Sequence, residues 1–441
     1  MGESTFRGGV HPDYCKDISI REPLRVAPLP DIAVIPLSQH IGAPNEPVVA
    51  KGDRVEEGQV LGKSASFISS PVHSPVYGEV IDIKKTFHPV LGPAPAVFIE
   101  RDKGKDPKKY AEQDAAGFDA KELIQKVRDA GIVGMGGASF PTYVKLSVPE
   151  GRKINTLIIN GAECEPYLTC DHVIMTKKAE EIIKGIRVVS RILQPEEIYI
   201  AIENNKKAAI FTFEKAVKRS THRSISGIKV VSLETKYPQG GEKQLIKAIT
   251  GKEVPPGKLP LDIGCLVQNV GTIYAIYEAV HFNKPLIERI ITVSGDCLQR
   301  PGNYLVRVGS TIKDIVEHYG IELTKEPGKV VMGGPMMGIA QPHTDVPILK
   351  STSGVLFLSA GQARVFEEQQ CIRCAKCVDV CPVNLLPTDI MRNTKKSKKG
   401  ALEELYVADC MECGACAYIC PARIPLVQYI KEGKTLVAKK A

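Results

Sequence analysis

The chain has no tryptophan, and aromatic residues of all kinds make up only 6% of its 441 residues. That scarcity argues against the stacking surfaces on which single-stranded nucleic acids bind. Nor is there an uninterrupted apolar run of the roughly eighteen residues that a spanning helix needs; the longest, at 156–159 and 354–360, are strand-sized. Residues 1–30 contain Pro, Asp and Glu and lack the apolar core of a secretory signal, so the expectation is a chain made and kept in the cytoplasm. Charge of one sign is not gathered into a long arm. The net +8 comes from scattered Lys and Arg, with short basic groups at 395–399 and in the last residues, which read either as solvated surface or as a patch that steers an acidic partner. What remains is an ordinary globular composition, 43% hydrophobic and 24% charged, in a length that suits about three domains.

Residues 1–38 are Pro-rich and read as an irregular lead-in that wraps other parts. From 39 to 102, short β-branched segments alternate with Gly and Pro, as in Lys51-Gly-Asp-Arg-Val-Glu-Glu-Gly-Gln-Val-Leu-Gly62 and His73-Ser-Pro-Val-Tyr-Gly-Glu-Val80, which suits a small β barrel-sandwich. The pattern resembles biotinyl and lipoyl carrier domains. The stretch between its halves, 63–71, has no Met-Lys or Asp-Lys-Ala tip, so a structural or docking module is expected rather than a swinging arm. After a charged linker at 102–119, residues 120–130 show helical spacing, and strand-like runs at 156–160, 198–202 and 228–233 alternate with helical stretches at 179–193 and 206–218. This alternation predicts an α/β domain with a mostly parallel sheet over 120–285. Residues 289–320 then read as strand, turn, strand and helix, a β-grasp unit assigned to 286–345. The fold class is therefore multidomain α+β, closing with a helical, cysteine-rich segment at 362–430.

Thirteen cysteines invite a disulfide reading, but eight of them lie in two dense runs. Cys371, Cys374, Cys377 and Cys381 precede Pro382; Cys410, Cys413, Cys416 and Cys420 precede Pro421. Each is the C-x2-C-x2-C-x3-C-P run of bacterial ferredoxins, in which the fourth cysteine ligates the other cluster. The spacing therefore predicts two 4Fe-4S clusters, one on Cys371, Cys374, Cys377 and Cys420, the other on Cys410, Cys413, Cys416 and Cys381. Zinc is the competing ligand, although its sites rarely place four cysteines so close with a trailing Pro, twice. Cys15, Cys164, Cys170, Cys265 and Cys297 show no ligand spacing and read as buried thiols.

The segment 131–145 places four glycines at 131, 134, 136 and 137 ahead of a helix start. Backbone N–H groups there can face a phosphate, with Lys145 as an added cation, or the glycines serve packing. Asn160-Gly-Ala-Glu-Cys-Glu-Pro166 follows the next strand, where the loops of a parallel sheet gather ligands. Its Asn160, Glu163 and Glu165 suit ribityl, ribose or amide groups, or are solvated loop side chains.

Gly134-Met-Gly-Gly-Ala-Ser-Phe-Pro-Thr142, Asn160-Gly-Ala-Glu-Cys-Glu-Pro166, Gly240-Gly-Glu-Lys243 and Gln268-Asn-Val-Gly-Thr272 occur in an order that resembles the flavin-bearing subunit of respiratory complex I. That resemblance implies FMN as cofactor and NADH as substrate. By position it implies FMN contacts from Gly134, Gly136, Gly137, Lys145, Asn160, Glu163, Glu242, Asn269 and Thr272, with Phe140 and Glu165 nearest the nicotinamide nucleotide. The chain departs from that family at Met135 (an Arg there), Ser139 (a Gly) and Lys243 (a second Glu). With Gly8-Gly-Val-His-Pro12, Gln39-His-Ile-Gly-Ala-Pro44, the carrier-like module, a β-grasp unit (SLBB-like) containing Pro301-Gly302 and the twin cysteine runs, nearly the whole chain is similar to the RnfC family of Rnf complexes. The resemblance implies a peripheral subunit on the cytoplasmic face of the cell membrane. It would pass electrons among NAD(H), FMN and two 4Fe-4S clusters, toward ferredoxin and the membrane and iron-sulfur subunits of an ion-translocating complex, without a span of its own. Two other readings stay open: a cobalamin reductase of the propanediol-utilisation type, and a flavin-free iron-sulfur wiring adaptor.

Overall fold

The computed structural model describes residues 4–220 and 227–438. Near the N-terminus, Ile32–Pro36, Gly92–Arg101, Gly78–His88 and Arg54–Val55 form one antiparallel sheet, in that order. The short strands Glu46–Pro47, Val60–Lys63 and Val72–His73 form a second. Alternate residues of both face inward, so Ile35, Leu61, Val72, Val97 and Ile99 share one core. The barrel-sandwich thus begins earlier than residue 39. Ile32–Pro36 belongs to it, pairing with a strand some sixty residues away in sequence, although a five-residue run between prolines carries little local strand signal.

The central sheet is parallel throughout, ordered Ile228–Leu233, Glu197–Glu203, Thr156–Gly161, Cys265–Asn269. Thr156–Gly161 is buried along its whole length, as a parallel strand covered on both faces must be. From Thr156–Gly161 the chain winds outward in one direction through two further strands and then returns to the opposite side as Cys265–Asn269. The reversal of strand order between those neighbours makes a switch point, and Asn160 stands opposite Asn269 at its carboxyl end. The helix Ala179–Leu193 packs Ile182, Ile186 and Val189 on one face against Val270–Phe282.

The β-grasp sheet is larger than expected. Its six strands run Arg25–Val26, Gly302–Arg307, Glu288–Ser294, Gly354–Leu358, Lys329–Met332, Ile339–Gln341. Arg25–Val26 comes from the N-terminal lead-in, and Gly354–Leu358 from beyond residue 345; the latter is buried at every position because it fills the middle of the sheet. In the C-terminal segment, the helices Pro387–Lys395, Lys399–Glu404 and Leu426–Ala438 pack Ile390, Leu402 and Ile430 around the cysteines. No helix among the described residues is long and apolar enough to cross a membrane.

The parts are tied by buried charges. Arg307 of the β-grasp sheet bonds Glu57 of the barrel-sandwich at 3.2 Å. Lys350 is wholly buried and its Nζ donates to Pro71 O at 2.6 Å and Gly131 O at 2.7 Å, joining three parts of the chain. Burial lowers its pKa to about 7, because an ammonium taken out of water is disfavoured relative to the amine. Between that value and the ordinary lysine value the unfolded chain holds the extra proton, so raising the pH favours the folded state. Relative to Lys350→Met, the wild type should gain stability from pH 7 to pH 9, at a slope approaching about 1.4 kcal/mol per pH unit. Denaturant unfolding at several pH values measures it; a difference that stays flat would show that Lys350 remains charged.

Candidate functional site

Each cysteine run begins with the same backbone device. The residues before and after its second cysteine are left-handed: Arg373 and Ala375 in the first run, Glu412 and Gly414 in the second. This bends the chain round its own sulfurs and launches the single helical turns Lys376–Asp379 and Ala415–Tyr418. Amides turn inward as a result, Glu412 N–H reaching Cys410 Sγ at 3.3 Å and Leu385 N–H reaching Cys381 Sγ at 3.3 Å. Cys371, Cys374, Cys377 and Cys420 line one cavity of about 230 Å³. Cys410, Cys413, Cys416 and Cys381 line another. Cys377 senses Cys420 and Cys371, and Cys413 senses Cys410 and Cys381, while Cys416 senses its own set and also Cys377 across the gap between the two. Burial pushes the Cys413 thiol up to about 12, a cost removed when a metal takes the thiolate. Four sulfurs around the larger cavity fit a cubane better than one zinc, which draws its sulfurs to about 2.3 Å.

At the switch point, the glycine loop is fastened by its backbone. Gly134 N–H donates to Phe140 O at 2.9 Å, and Met135 N–H to Thr272 Oγ1 at 3.0 Å. A Cβ on Gly136 would lie 3.1 Å from Asn269, whereas one on Gly137 would meet open space. Ser139 keeps a left-handed φ of 55°; the turn therefore demands the conformation even where the related family has glycine. Asn269 caps the helix Val270–Phe282 through Gly271 N–H at 2.7 Å and donates from Nδ2 to Asp171 Oδ2 at 2.7 Å. Asn160 Nδ2 donates to Gly240 O at 2.9 Å, and Lys145 Nζ pairs with Glu242 at 2.5 Å while reaching Val267 O at 2.7 Å. Buried Gln268 Nε2 and His172 Nδ1 have no partner among the described residues, leaving hydrogen-bonding capacity for a polar guest.

Glu163 and Glu165 diverge. Glu163 turns back to accept from Asp171 N–H at 2.9 Å and His172 N–H at 3.3 Å, capping the helix Cys170–Lys177. Glu165 leaves the rim, its two oxygens accepting from Met336 N–H at 3.0 Å and Met337 N–H at 2.9 Å. Ten of the eleven expected residues, Phe140 through its backbone, thus gather around the switch point and Glu165 points to the β-grasp sheet. Sequence reading missed Asp171, whose carboxyl is pushed up by burial and by Glu163, and Arg289, whose guanidinium abuts the Met135 sulfur. An acid in the first turn of a helix was a visible signal for Asp171; Arg289 arrives from a strand of another part and had none.

The cleft lies against the second cradle. Tyr237 OH donates to Cys413 O at 2.6 Å, Gln244 Nε2 to Pro382 O at 3.2 Å, and a Cβ on Gly241 would lie 2.8 Å from Met411 Cε. Gly9 N–H of the N-terminal segment donates to Val380 O at 2.9 Å. The first cradle stands further out, with Cys374 exposed and Ile372 68% exposed.

Family models match four parts of the chain: an RnfC barrel-sandwich hybrid domain at 4–104, a Nuo51 FMN-binding domain at 127–278, an SLBB domain at 290–340 and a 4Fe-4S dicluster domain at 370–424. The C component of the proton-translocating ferredoxin:NAD(+) oxidoreductase complex of Clostridium ljungdahlii is 45% identical over 97% of this chain and 93% of the relative. The Na(+)-translocating counterpart of Acetobacterium woodii is 43% identical over 98% and 96%. The C component of the ion-translocating oxidoreductase complex of Pectobacterium atrosepticum is 43% identical over 97% of this chain, which spans 61% of that longer relative. An NAD+-reducing [NiFe]-hydrogenase chain superposes with a TM-score of 0.54 at 19% identity, covering 74% of this chain and 64% of its own, a likeness of fold.

Asn269→Ala should destabilise the protein by about 1–2 kcal/mol, since it removes a helix cap and the partner of half-buried Asp171. Thermal unfolding of the variant checks this, and an unchanged transition would mean the cap bears no strain.

Proposed function

Since the chain belongs to the RnfC family, components of ion-translocating ferredoxin:NAD(+) oxidoreductase complexes, we propose that it passes electrons between NAD(H) at the switch-point cleft and the two cysteine cradles. The chain has an FMN-binding domain and a 4Fe-4S dicluster domain. FMN, when bound, supplies the exchange between the two-electron chemistry of a hydride and the one-electron chemistry of a cluster. The single observation that carries the reading is the contact between cleft and cradle, where Tyr237 bonds the Cys413 carbonyl.

The residues divide the work. Gly136 and Gly137 leave room beside Asn269 for a flat guest to approach the backbone. Gly134 and Thr272 hold that loop in place. Asn160, Asn269 and the Lys145–Glu242 pair rim the opening with polar groups, while Glu163 rigidifies the floor by capping the helix beneath. Phe140, partly exposed on this loop, would lie nearest the nicotinamide nucleotide. No acid–base side chain is required, because positioning and exclusion of water are what such a transfer asks of the protein. Cys371, Cys374, Cys377 and Cys420 would hold the outer cluster and Cys381, Cys410, Cys413 and Cys416 the inner one, a pairing supported by the two cavities.

The layout that suits this is a barrel-sandwich over about 32–101, the flavin domain over 120–285, the β-grasp domain over 286–358 and the dicluster segment over 362–430. The chain would sit peripherally on membrane subunits at the cytoplasmic face and exchange electrons with ferredoxin through its complex. The nearly full-length likeness to the Clostridium and Acetobacterium proteins supports this reading over that of a cobalamin reductase.

Anaerobic purification, flavin and iron analysis, and an absorbance trace on adding NADH test it. Near-stoichiometric FMN, about eight irons and bleaching by NADH are expected; irons without flavin would leave the wiring adaptor. For the crossed pairing, Cys420→Ser should perturb the EPR signal of the outer cluster and spare the inner one, and the opposite result would reassign the ligands.

A further inference from the structure

The two oxygens of Glu165 are taken by successive amides of the loop 333–338, which links Lys329–Met332 to Ile339–Gln341 in the β-grasp sheet. The fit is close. A Cβ on Gly334 would overlap the Glu165 carboxylate, so that position has to be glycine for the bonds to form. On its far side the loop meets the inner cysteine cradle: Met336 O lies 3.0 Å from where a Cβ on Gly414 would stand. The Met336 side chain packs in one apolar cluster with Val10, Cys164, Tyr237, Cys413 and Ala415.

We propose that Glu165 is a positioning residue that clamps the loop 333–338 between the flavin cleft and the inner cradle, and so sets the path between them. This rests on the electron-transfer reading above. Burial pushes the Glu165 carboxyl up to about 7, against the two amides and Lys16, which favour its ionised form; in that form its bonds to both amides are charge-assisted. Their loss leaves the part-buried Met336 N–H without its acceptor, while the exposed Met337 N–H turns to water, and the loop shifts at Met336 to find another partner. The shift would change packing around Met336 and Cys413, and packing and hydrogen bonding around a cluster's sulfurs tune its electronic properties. A ligand of the nicotinamide nucleotide would instead keep its oxygens facing the cleft.

The test uses the full chain loaded with FMN and clusters, as wild type, Glu165→Gln, Glu165→Ala and Gly334→Ala. Three quantities are read: the Kd for NADH, the rate at which the clusters are reduced after the flavin, and the EPR spectrum of dithionite-reduced protein. NADH affinity should stay within about twofold in every variant. Cluster reduction should slow by about tenfold or more in Glu165→Ala and Gly334→Ala, with an altered inner-cluster spectrum, and by less in Glu165→Gln, which keeps one acceptor. A tenfold weaker NADH affinity in Glu165→Ala or Glu165→Gln with unchanged transfer rate and spectrum would overturn the clamp and make Glu165 a nucleotide ligand. If wild-type flavin does not react with NADH, the functional reading fails, and the dithionite spectra still decide the clamp.

Discussion

Lys16 reaches from the N-terminal segment into the middle of the molecule and donates from Nζ to the carbonyls of Glu163, Glu165 and Leu168, at 2.8, 2.7 and 2.6 Å. The loop after Thr156–Gly161 is largely buried, and a buried irregular backbone needs a donor for each carbonyl that no sheet or helix satisfies. One ammonium supplies three. Lys206 adds a fourth bond, to the Glu163 carbonyl at 3.3 Å, while forming a buried pair with Glu203. With the carbonyls held, the side chains of the loop are free to face three directions. Glu163 caps a helix, the Cys164 sulfur accepts from Gly240 N–H at 3.4 Å, and Glu165 reaches the β-grasp loop. The flavin cleft, the inner cradle and the β-grasp sheet meet at this turn, so an error in its backbone would reach all three.

Local chemistry was legible in the sequence, and long-range assembly less so. The twin cysteine runs announce themselves because a cubane needs three ligands from one short turn, and the structure collects the sulfurs into two cavities. Three of the four strands of the parallel sheet were readable for a similar reason, as largely apolar runs of six or seven residues separated by helical stretches, whereas Cys265–Asn269 was not read as a strand. Arg25–Val26, Ile32–Pro36 and Gly354–Leu358 fall outside the boundaries that local pattern suggests for their sheets, because partner choice is decided by residues far along the chain. Glu165 is the sharpest case. Its neighbour Glu163 has the same residue type two positions away, yet the two side chains leave the loop toward different parts of the molecule. No local pattern distinguishes them; only the presence of the loop 333–338 does.

The two cradles share backbone geometry and differ in surroundings. Cys413 is buried at the seam with the flavin domain, under Tyr237 and Met336, whereas Cys374 is exposed and the lining of its cavity includes Thr388, Asp389 and Arg392 of the same segment. Since exposure and hydrogen bonding move cluster potentials over a wide range at constant ligation, two similar motifs placed in unlike settings should become two unlike electron carriers. The basic residues that the sequence offered for steering are partly engaged: Lys395 pairs with Glu368 at 2.7 Å and lies over the Tyr429 ring.

This asymmetry gives the N-terminal segment a role that its irregular sequence conceals. Gly9 bonds the Val380 carbonyl next to Cys381, and a Cβ on Gly8 would lie 3.1 Å from Cys381 O. Val10 exchanges backbone bonds with Tyr237, at 2.8 and 2.9 Å. Gly8 and Gly9 both have positive φ, and at Gly9 an added Cβ would also crowd the Tyr237 carbonyl, so glycine is required by conformation and by space together. The same segment then supplies Lys16 to the loop 163–168, Arg25–Val26 to the β-grasp sheet and Ile32–Pro36 to the barrel-sandwich. A single strap therefore touches every module, and it crosses the seam at the inner cradle, where the spacing between cleft and cluster has to be fixed.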